Sequence, residues 1–245
     1  MATKTAIKKT KIKVQEDHEI RERIVQSRVR LLLKHPFFGN LATRLKLKNA
    51  DDWCPTAATD GLHLFYNREF ITPLSSDELD FLIGHEVMHC VYDHMERREG
   101  RDPQIWNMAT DYVINGQLVR EGLGKMPKQG LHDSKYYDKN SDEIYGELKK
   151  NQVEIKVTLD MHLDGEGDKG QGQSKDGKGK DGKDKKPVMS KAEKDKLKDE
   201  IKNAVLQAAQ AAGAGNVPKG VERLIRNMTE PKMDWRSLLD QHITS

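Results

Sequence analysis

Two histidines spaced four residues apart, with a glutamate directly after the first, are the residues of this sequence best suited to chemistry. They are His85, Glu86 and His89, in the run HEVMH. On a helix, side chains at positions i and i+4 lie on one face, so both imidazoles can bind the same metal ion. Glu86 is rotated by about 100° from His85, close enough to hydrogen-bond a water on that ion. The pattern therefore predicts two metal ligands and a general base.

The residues around this motif predict the helix that it requires. Ser75 stands three residues before Glu78, which is the spacing of a capping box, and we expect one helix from Ser75 to His94. Apolar residues recur along it at helical spacing, as in a helix that packs on a core. They are Leu79, Leu82, Ile83, Val87 and Val91.

A catalytic zinc ion needs a third protein ligand, with a further position kept for water. Asp111 lies on a second predicted helix, which begins with the N-cap and N1 pair Asp102 and Pro103 and is apolar nearly all round. A carboxylate buried there must be protonated, paired or bound to metal. The alternative, His94, would face away from the site on an unbroken helix. The sequence favours Asp111 as the ligand. Asn115, one turn further on, would then either hydrogen-bond a ligand imidazole or fix the turn.

The composition limits the classes of protein to which the chain can belong. Its 42 basic and 39 acidic residues give a formal net charge of +3, so the whole chain offers no electrostatic case for nucleic acid or anionic membrane. No apolar run is long enough to span a bilayer, and the N-terminus lacks the apolar region of a signal peptide. Two cysteines make no disulfide framework. We therefore expect a cytoplasmic protein.

We expect four parts along the chain. Residues 1–13 carry five lysines and no acid, and are predicted to be a disordered basic tail. Residues 14–163 form the core. Residues 164–187 are rich in Gly, Lys and Asp and have almost no apolar side chain, so they are predicted to be a disordered linker. Residues 188–245 are predicted to form helices that pack on the core.

The core is predicted to be α+β, mainly helical, with a small sheet beside the HExxH helix. The run Gly61–Tyr66 is a short strand bounded by turn residues. We expect it at a sheet edge, where it either pairs with an extended peptide or only completes the sheet. The remaining predicted elements are helices near residues 16–34, 142–149, 190–212, 219–228 and 235–242 and a strand at 153–159.

Three long runs resemble one family when they are taken together. They are PTAATDGLHLFYN (Pro55 to Asn67), LIGHEVMHCVYDHMERR around the motif, and RDPQIWNMATDYVIN (Arg101 to Asn115). The family is the bacterial and phage metallopeptidase domain that usually precedes a von Willebrand factor A-like domain and is often associated with MoxR-type AAA ATPases. Shorter matching runs lie before the strand and near the end of the chain. The resemblance covers most of the chain outside the tail and the linker.

Membership of this family implies a zincin-like fold and a bound Zn²⁺, with His85 and His89 as ligands and Glu86 as base. Asp111 is carried over as the acidic ligand. A peptide or protein is then the substrate, and a von Willebrand A-like domain and a MoxR-type ATPase are the expected partners, without membrane or nucleic acid. The sequence ends soon after Trp235 without an A-like domain. We expect either a fragment or a partner domain on a separate chain.

Three functions compete at this point. The first is a zinc metallopeptidase, which the presence of Glu86 favours, because a purely structural site has no use for a general base. The second is a non-catalytic scaffold stapled by metal that binds a partner of the ATPase system. The third is a metal-dependent hydrolase acting on RNA, indicated only by the lysine-rich tail and linker.

Overall fold

The computed structural model describes residues 2–151, 158–159 and 190–229, without the side chains of residues 2–14. Most of the predicted strand 153–159 therefore lies outside the described residues. The linker 164–187 and the predicted helix near residues 235–242 lie outside them entirely. Within the described part, the fold is mainly helical with one three-stranded sheet, so the predicted α+β class is confirmed.

Helix α1 (Ala2–Lys34) is longer than the sequence predicts. Its expected start is near residue 16, but the backbone of residues 2–13, assigned above to a tail, continues the same helix. That run contains neither proline nor glycine, the two residues that most disfavour a helix interior. The end is as expected, because Pro36 disfavours helix at His35. Pro36 then starts the short helix α2 (Pro36–Ala42).

The sheet has the strand order β1-β3-β2, with β1 at Lys46–Asn49, β2 at Ala57–Thr59 and β3 at His63–Tyr66. Strand β3 pairs in parallel with β1 and antiparallel with β2. The predicted strand is therefore the central one, and the expectation that it has a free edge for a peptide is wrong. Both of its edges are occupied by strands that are too short to give a periodic sequence signal.

Helix α4 (Ser76–Val91) lies at the centre of the core, and every residue from Leu79 to Val91 is buried. Its capping box is present: the Ser75 hydroxyl accepts from the Glu78 N–H, and the Glu78 carboxylate accepts from the Ser75 N–H. The short helix α3 (Arg68–Ile71) precedes it. An ion pair of 2.7 Å between Arg30 of α1 and the buried Asp80 fixes α4 against α1.

Helix α5 (Pro103–Arg120) packs on α4 and also on helix α6 (Ser141–Lys150). Its start is as predicted, because the Asp102 carboxylate accepts from the N–H groups of Gln104 and Ile105. The face towards α6 holds a second apolar cluster. This arrangement leaves one buried face of α5 directed at α4.

Helices α7 (Lys191–Ala212) and α8 (Lys219–Thr229) contribute side chains to the same core as α4. Val205 and Val221 are fully buried there. An ion pair of 2.6 Å between Lys198 and Asp93 also joins α7 to the turn after α4. Among the described residues, no helix is both long enough and apolar enough to cross a membrane.

Candidate metal centre

Helices α4 and α5 bring His85, His89 and Asp111 together. The Nε2 atoms of His85 and His89 are 2.9 Å apart. Each of them is 3.6 Å from Oδ1 of Asp111. The exposed fractions of these residues are 0%, 1% and 0%. Two imidazole nitrogens and one carboxylate oxygen therefore converge on a single point inside the protein.

The spacing of these three atoms fits a metal ion. Zinc binds imidazole nitrogen and carboxylate oxygen at about 2.0–2.1 Å, so two ligand atoms of a tetrahedral ion lie about 3.3 Å apart. The measured separations of 2.9 and 3.6 Å fall on either side of that value. Among the described residues, these three form the group of His, Cys, Asp or Glu side chains whose ligand atoms lie close enough together to hold one ion. The donor set, two imidazoles and a carboxylate, suits zinc.

Asn115 fixes the protonation of His85. Its amide Nδ2 donates to the carbonyl oxygen of Leu131 at 3.0 Å, which leaves Oδ1 as an acceptor. That oxygen is 2.9 Å from Nδ1 of His85, so the ring donates there. The other ring nitrogen, Nε2, then carries the lone pair that a metal needs. The structure thus places Asn115 against the imidazole of His85, which is one of the two roles that the sequence leaves open for it.

The end of α4 differs from the prediction of an unbroken helix up to His94. The helix ends at Val91, and Asp93 has a left-handed backbone with φ of 53°. The N–H of His94 donates to the carbonyl of His89 at 3.2 Å, and the N–H of Asp93 to that of Cys90 at 3.2 Å. These two bonds form a Schellman motif. Aspartate tolerates the left-handed conformation better than most residues, which is the signal that could have been used.

This turn folds His94 back onto the helix that it follows. His94 is 1% exposed, and its Nδ1 lies 3.3 Å from Nδ1 of His89, on the side of the ring opposite to Asp111. It therefore contacts the Nδ1 atom of His89, a predicted ligand, and is not a member of the group whose ligand atoms could hold an ion. The expectation that His94 points away from the site is wrong. The choice of Asp111 over His94 as a ligand stays a prediction, and the geometry groups Asp111 with His85 and His89.

Glu86 and Cys90 lie one turn apart on α4, and both are buried. The Cys90 thiol donates to the carbonyl oxygen of Glu86 at 3.4 Å and contacts the hydroxyl of Thr59 at 3.4 Å. Burial raises the pKa of this thiol to about 12. Cys90 is therefore neutral near pH 7 and remains a small packing residue beside the motif.

All five predicted site residues are closed off from solvent, with Glu86 and Asn115 also at 0% exposure. One turn before Asp111 on the same face of α5, the Asn107 amide donates to the hydroxyl of Thr158 at 2.6 Å. Leu159 follows and is fully buried in the core. The side chains of the candidate site are therefore enclosed in this structure.

A buried HExxH helix with an acidic side chain delivered from the next helix supplies three ligand atoms to one candidate metal site. The chain belongs to the family described as "Putative metallopeptidase domain", which matches residues 19–245. The resemblance seen in the sequence is thereby confirmed at the level of this family. No curated protein and no solved structure matches the chain.

Proposed function

We propose that the protein is a zinc-dependent metallopeptidase that hydrolyses peptide bonds. The observation that carries the proposal is the convergence of His85, His89 and Asp111 beside Glu86, in a chain of the metallopeptidase-domain family. His85 and His89 bind through Nε2, and Asp111 binds through its carboxylate. Asn115 supports the arrangement by holding His85 in the protonation state that ligation requires.

The protein's own part in hydrolysis is the movement of one proton. Zinc held by His85, His89 and Asp111 would activate a water for attack and polarise the scissile carbonyl. Glu86 accepts the proton that the water loses as its oxygen attacks the carbonyl carbon. Glu86 then delivers this proton to the amine nitrogen as the C–N bond breaks. Because Glu86 is fully buried on the HExxH helix, water exclusion strengthens its electrostatic interactions with the reacting groups.

The buried site gives this enzyme a closed resting state. No peptide reaches four side chains that are at most 1% exposed, so catalysis depends on an opening motion. The family resemblance supports a von Willebrand A-like domain and a MoxR-type ATPase as the partners. An ATPase acting on this protein would supply work for such an opening.

A second candidate function is a non-catalytic scaffold stapled by metal, and the complete burial of the site favours it. Metal content and cleavage together separate the two functions. The test uses wild type and Glu86→Gln with casein as the substrate. Each protein is assayed alone and with a MoxR-type ATPase encoded beside its gene. Zinc in both proteins and cleavage by wild type alone would support the peptidase. Zinc in both and cleavage by neither would support the scaffold.

The RNA hydrolase is the weakest of the three functions. The lysine-rich tail and linker are the features that indicate it, and they belong to a chain whose net charge is only +3. Binding to RNA that is weak and insensitive to salt would dispose of it, because a phosphate-binding protein loses affinity steeply as salt rises.

A further inference from the structure

His94 contacts Nδ1 of His89, the ring nitrogen that faces away from Asp111. We propose that His94 is a positioning residue that orients the His89 imidazole for metal binding. The inference rests on the proposed metal site and adds a residue to it. The predicted role of Asn115 behind His85 then has a counterpart behind the second histidine. Each ligand imidazole is held by a bond on the side of its ring that faces away from Asp111.

The direction of the bond between the two imidazoles decides whether His89 can ligate. Their Nδ1 atoms are 3.3 Å apart, so one ring donates and the other accepts. If His94 donated, a neutral His89 would carry its proton on Nε2, which would block the metal-facing nitrogen. If His89 donates, Nε2 carries a lone pair directed at the site. Ligation therefore requires His94 to accept at Nδ1.

Ser141 offers an acceptor for the Nε2 proton that His94 carries when its Nδ1 accepts. The hydroxyl oxygen of Ser141 is 3.3 Å from Nε2 of His94. When this hydroxyl accepts the Nε2 proton of His94, Nδ1 of the same ring is free of hydrogen. In this arrangement His89 donates to His94, and His94 donates to Ser141. All three side chains are at most 2% exposed, so water does not compete for these bonds.

The backbone around His94 is held from two sides. The Schellman turn at Asp93 sets its direction, and the indole N–H of Trp106 donates to the His94 carbonyl oxygen at 2.9 Å. Trp106 itself is fully buried on α5. A ring fixed in this way loses little further freedom when it positions its neighbour. This is how a supporting group raises metal affinity without touching the metal.

Helix α6, which carries Ser141, is tied to the same turn. Arg97 and Arg101 both bind the carboxylate of Asp142, at 2.8 and 2.7 Å. The guanidinium of Arg101 also lies 4.9 Å from the ring centre of Trp106. The start of α6 and the turn after α4 are therefore joined where Ser141 meets His94. The geometry therefore holds the Ser141 hydroxyl beside Nε2 of His94.

The test compares zinc affinity among three variants by competition with a chelator. His94→Leu removes the acceptor, and zinc binding should weaken by about 10- to 100-fold, as for other groups that support a ligand. His94→Asn places an amide oxygen near the former Nδ1, and should recover most of the lost affinity. His18→Leu is the matched control, because that histidine is exposed on α1, and its zinc affinity should equal that of wild type. Equal affinity in His94→Leu and wild type would overturn the proposal.

A spectroscopic measurement on wild type keeps the test independent of whether the variants fold. In ¹⁵N-labelled protein loaded with Zn²⁺, a proton on Nδ1 of His89 should show coupling through the hydrogen bond to Nδ1 of His94. A proton on Nδ1 of His94 instead would overturn the proposal. A wild type that binds zinc but cleaves no peptide would count against the peptidase and leave this inference standing. A wild type that binds no metal ion would overturn both.

Discussion

Asp111 is the anionic member of the proposed ligand group, and its side chain is fully buried between two imidazoles. A buried carboxylate loses the solvation that it has in water, and a divalent ion restores that loss more completely than a neutral ring can. The acidic ligand should therefore contribute more to zinc affinity than any group that only orients a ligand.

We expect Asp111→Ala to weaken zinc binding by several orders of magnitude, because two imidazoles and water remain. Isothermal titration with a competing chelator measures this change. Asp138→Ala is the matched control, since its side chain is 98% exposed and pairs only at the surface with Arg120. Retention of zinc by Asp111→Ala, with loss of zinc in a His94 variant, would exchange the roles assigned to the two residues.

Loss of the Asn115 side chain should lower zinc affinity less than loss of the Asp111 carboxylate. We expect Asn115→Ala to weaken zinc binding by about 10- to 100-fold, since His85 loses the acceptor that fixes its protonation. Asn115→Asp retains that acceptor and loses the donation to the Leu131 carbonyl, so its zinc affinity should lie closer to that of wild type. If both variants bound zinc as tightly as wild type, the hydrogen bond to His85 would have no part in metal binding.

At the scale of elements, the stability of α4 depends on a cap far from its metal-binding end. The hydroxyl of Ser75 and the carboxylate of Glu78 satisfy two N–H groups at the first turn. We expect Ser75→Ala to lower the free energy of unfolding by about 1 kcal/mol, as is typical for loss of an N-cap. Urea denaturation measures it. Zinc stoichiometry should not change, because His85 lies more than two turns from the cap; a loss of zinc would show that the cap controls the site.

Sequence reasoning succeeds on α4 and α5 because their signals are local. A capping box, an Asp-Pro start and apolar residues at helical spacing each involve neighbours within one or two turns. It fails on β1 and β2, which have four and three residues and contain lysine or alanine. Both residue types are depleted in strands, and what holds these strands is pairing with β3.

The end of α4 illustrates a different limit. One left-handed residue, Asp93, redirects the chain and turns His94 from a side chain pointing away into a neighbour of His89. The geometry of an ideal helix places His85 and His89 on one face correctly, but it does not include a turn that ends the helix. Ser141 and Trp106, which complete the surroundings of His94, come from elements whose contacts depend on tertiary packing. The proposed ligands are therefore easier to predict than Ser141 and Trp106, whose contacts with His94 depend on tertiary packing.

At the scale of the whole molecule, residues 158–159 and 190–229 bracket the predicted linker and contribute Leu159, Val205 and Val221 to one core. Residues 165–185, within the predicted linker, have no apolar side chain to add to that core. We expect deletion of residues 165–185 to leave zinc affinity unchanged and the melting temperature within about 4 °C of wild type, because shortening the connection between residues 159 and 190 to about a third of its length changes the free energy of unfolding by only about 1 kcal/mol. A large fall in melting temperature would mean that this segment packs on the protein.

Zinc bound inside the core should stabilise the whole chain by linkage. At a free zinc concentration of 100 times the dissociation constant, the free energy of unfolding rises by about 2.7 kcal/mol, which for this chain length corresponds to a melting temperature about 5–11 °C higher. Calorimetry of zinc-loaded and chelator-treated protein measures the difference. Glu86→Gln should show the full rise, because Glu86 does not ligate, whereas Asp111→Ala should show little of it. If Asp111→Ala gained as much stability from zinc as wild type, the ion would bind elsewhere, and the proposed centre on α4 and α5 would be incorrect.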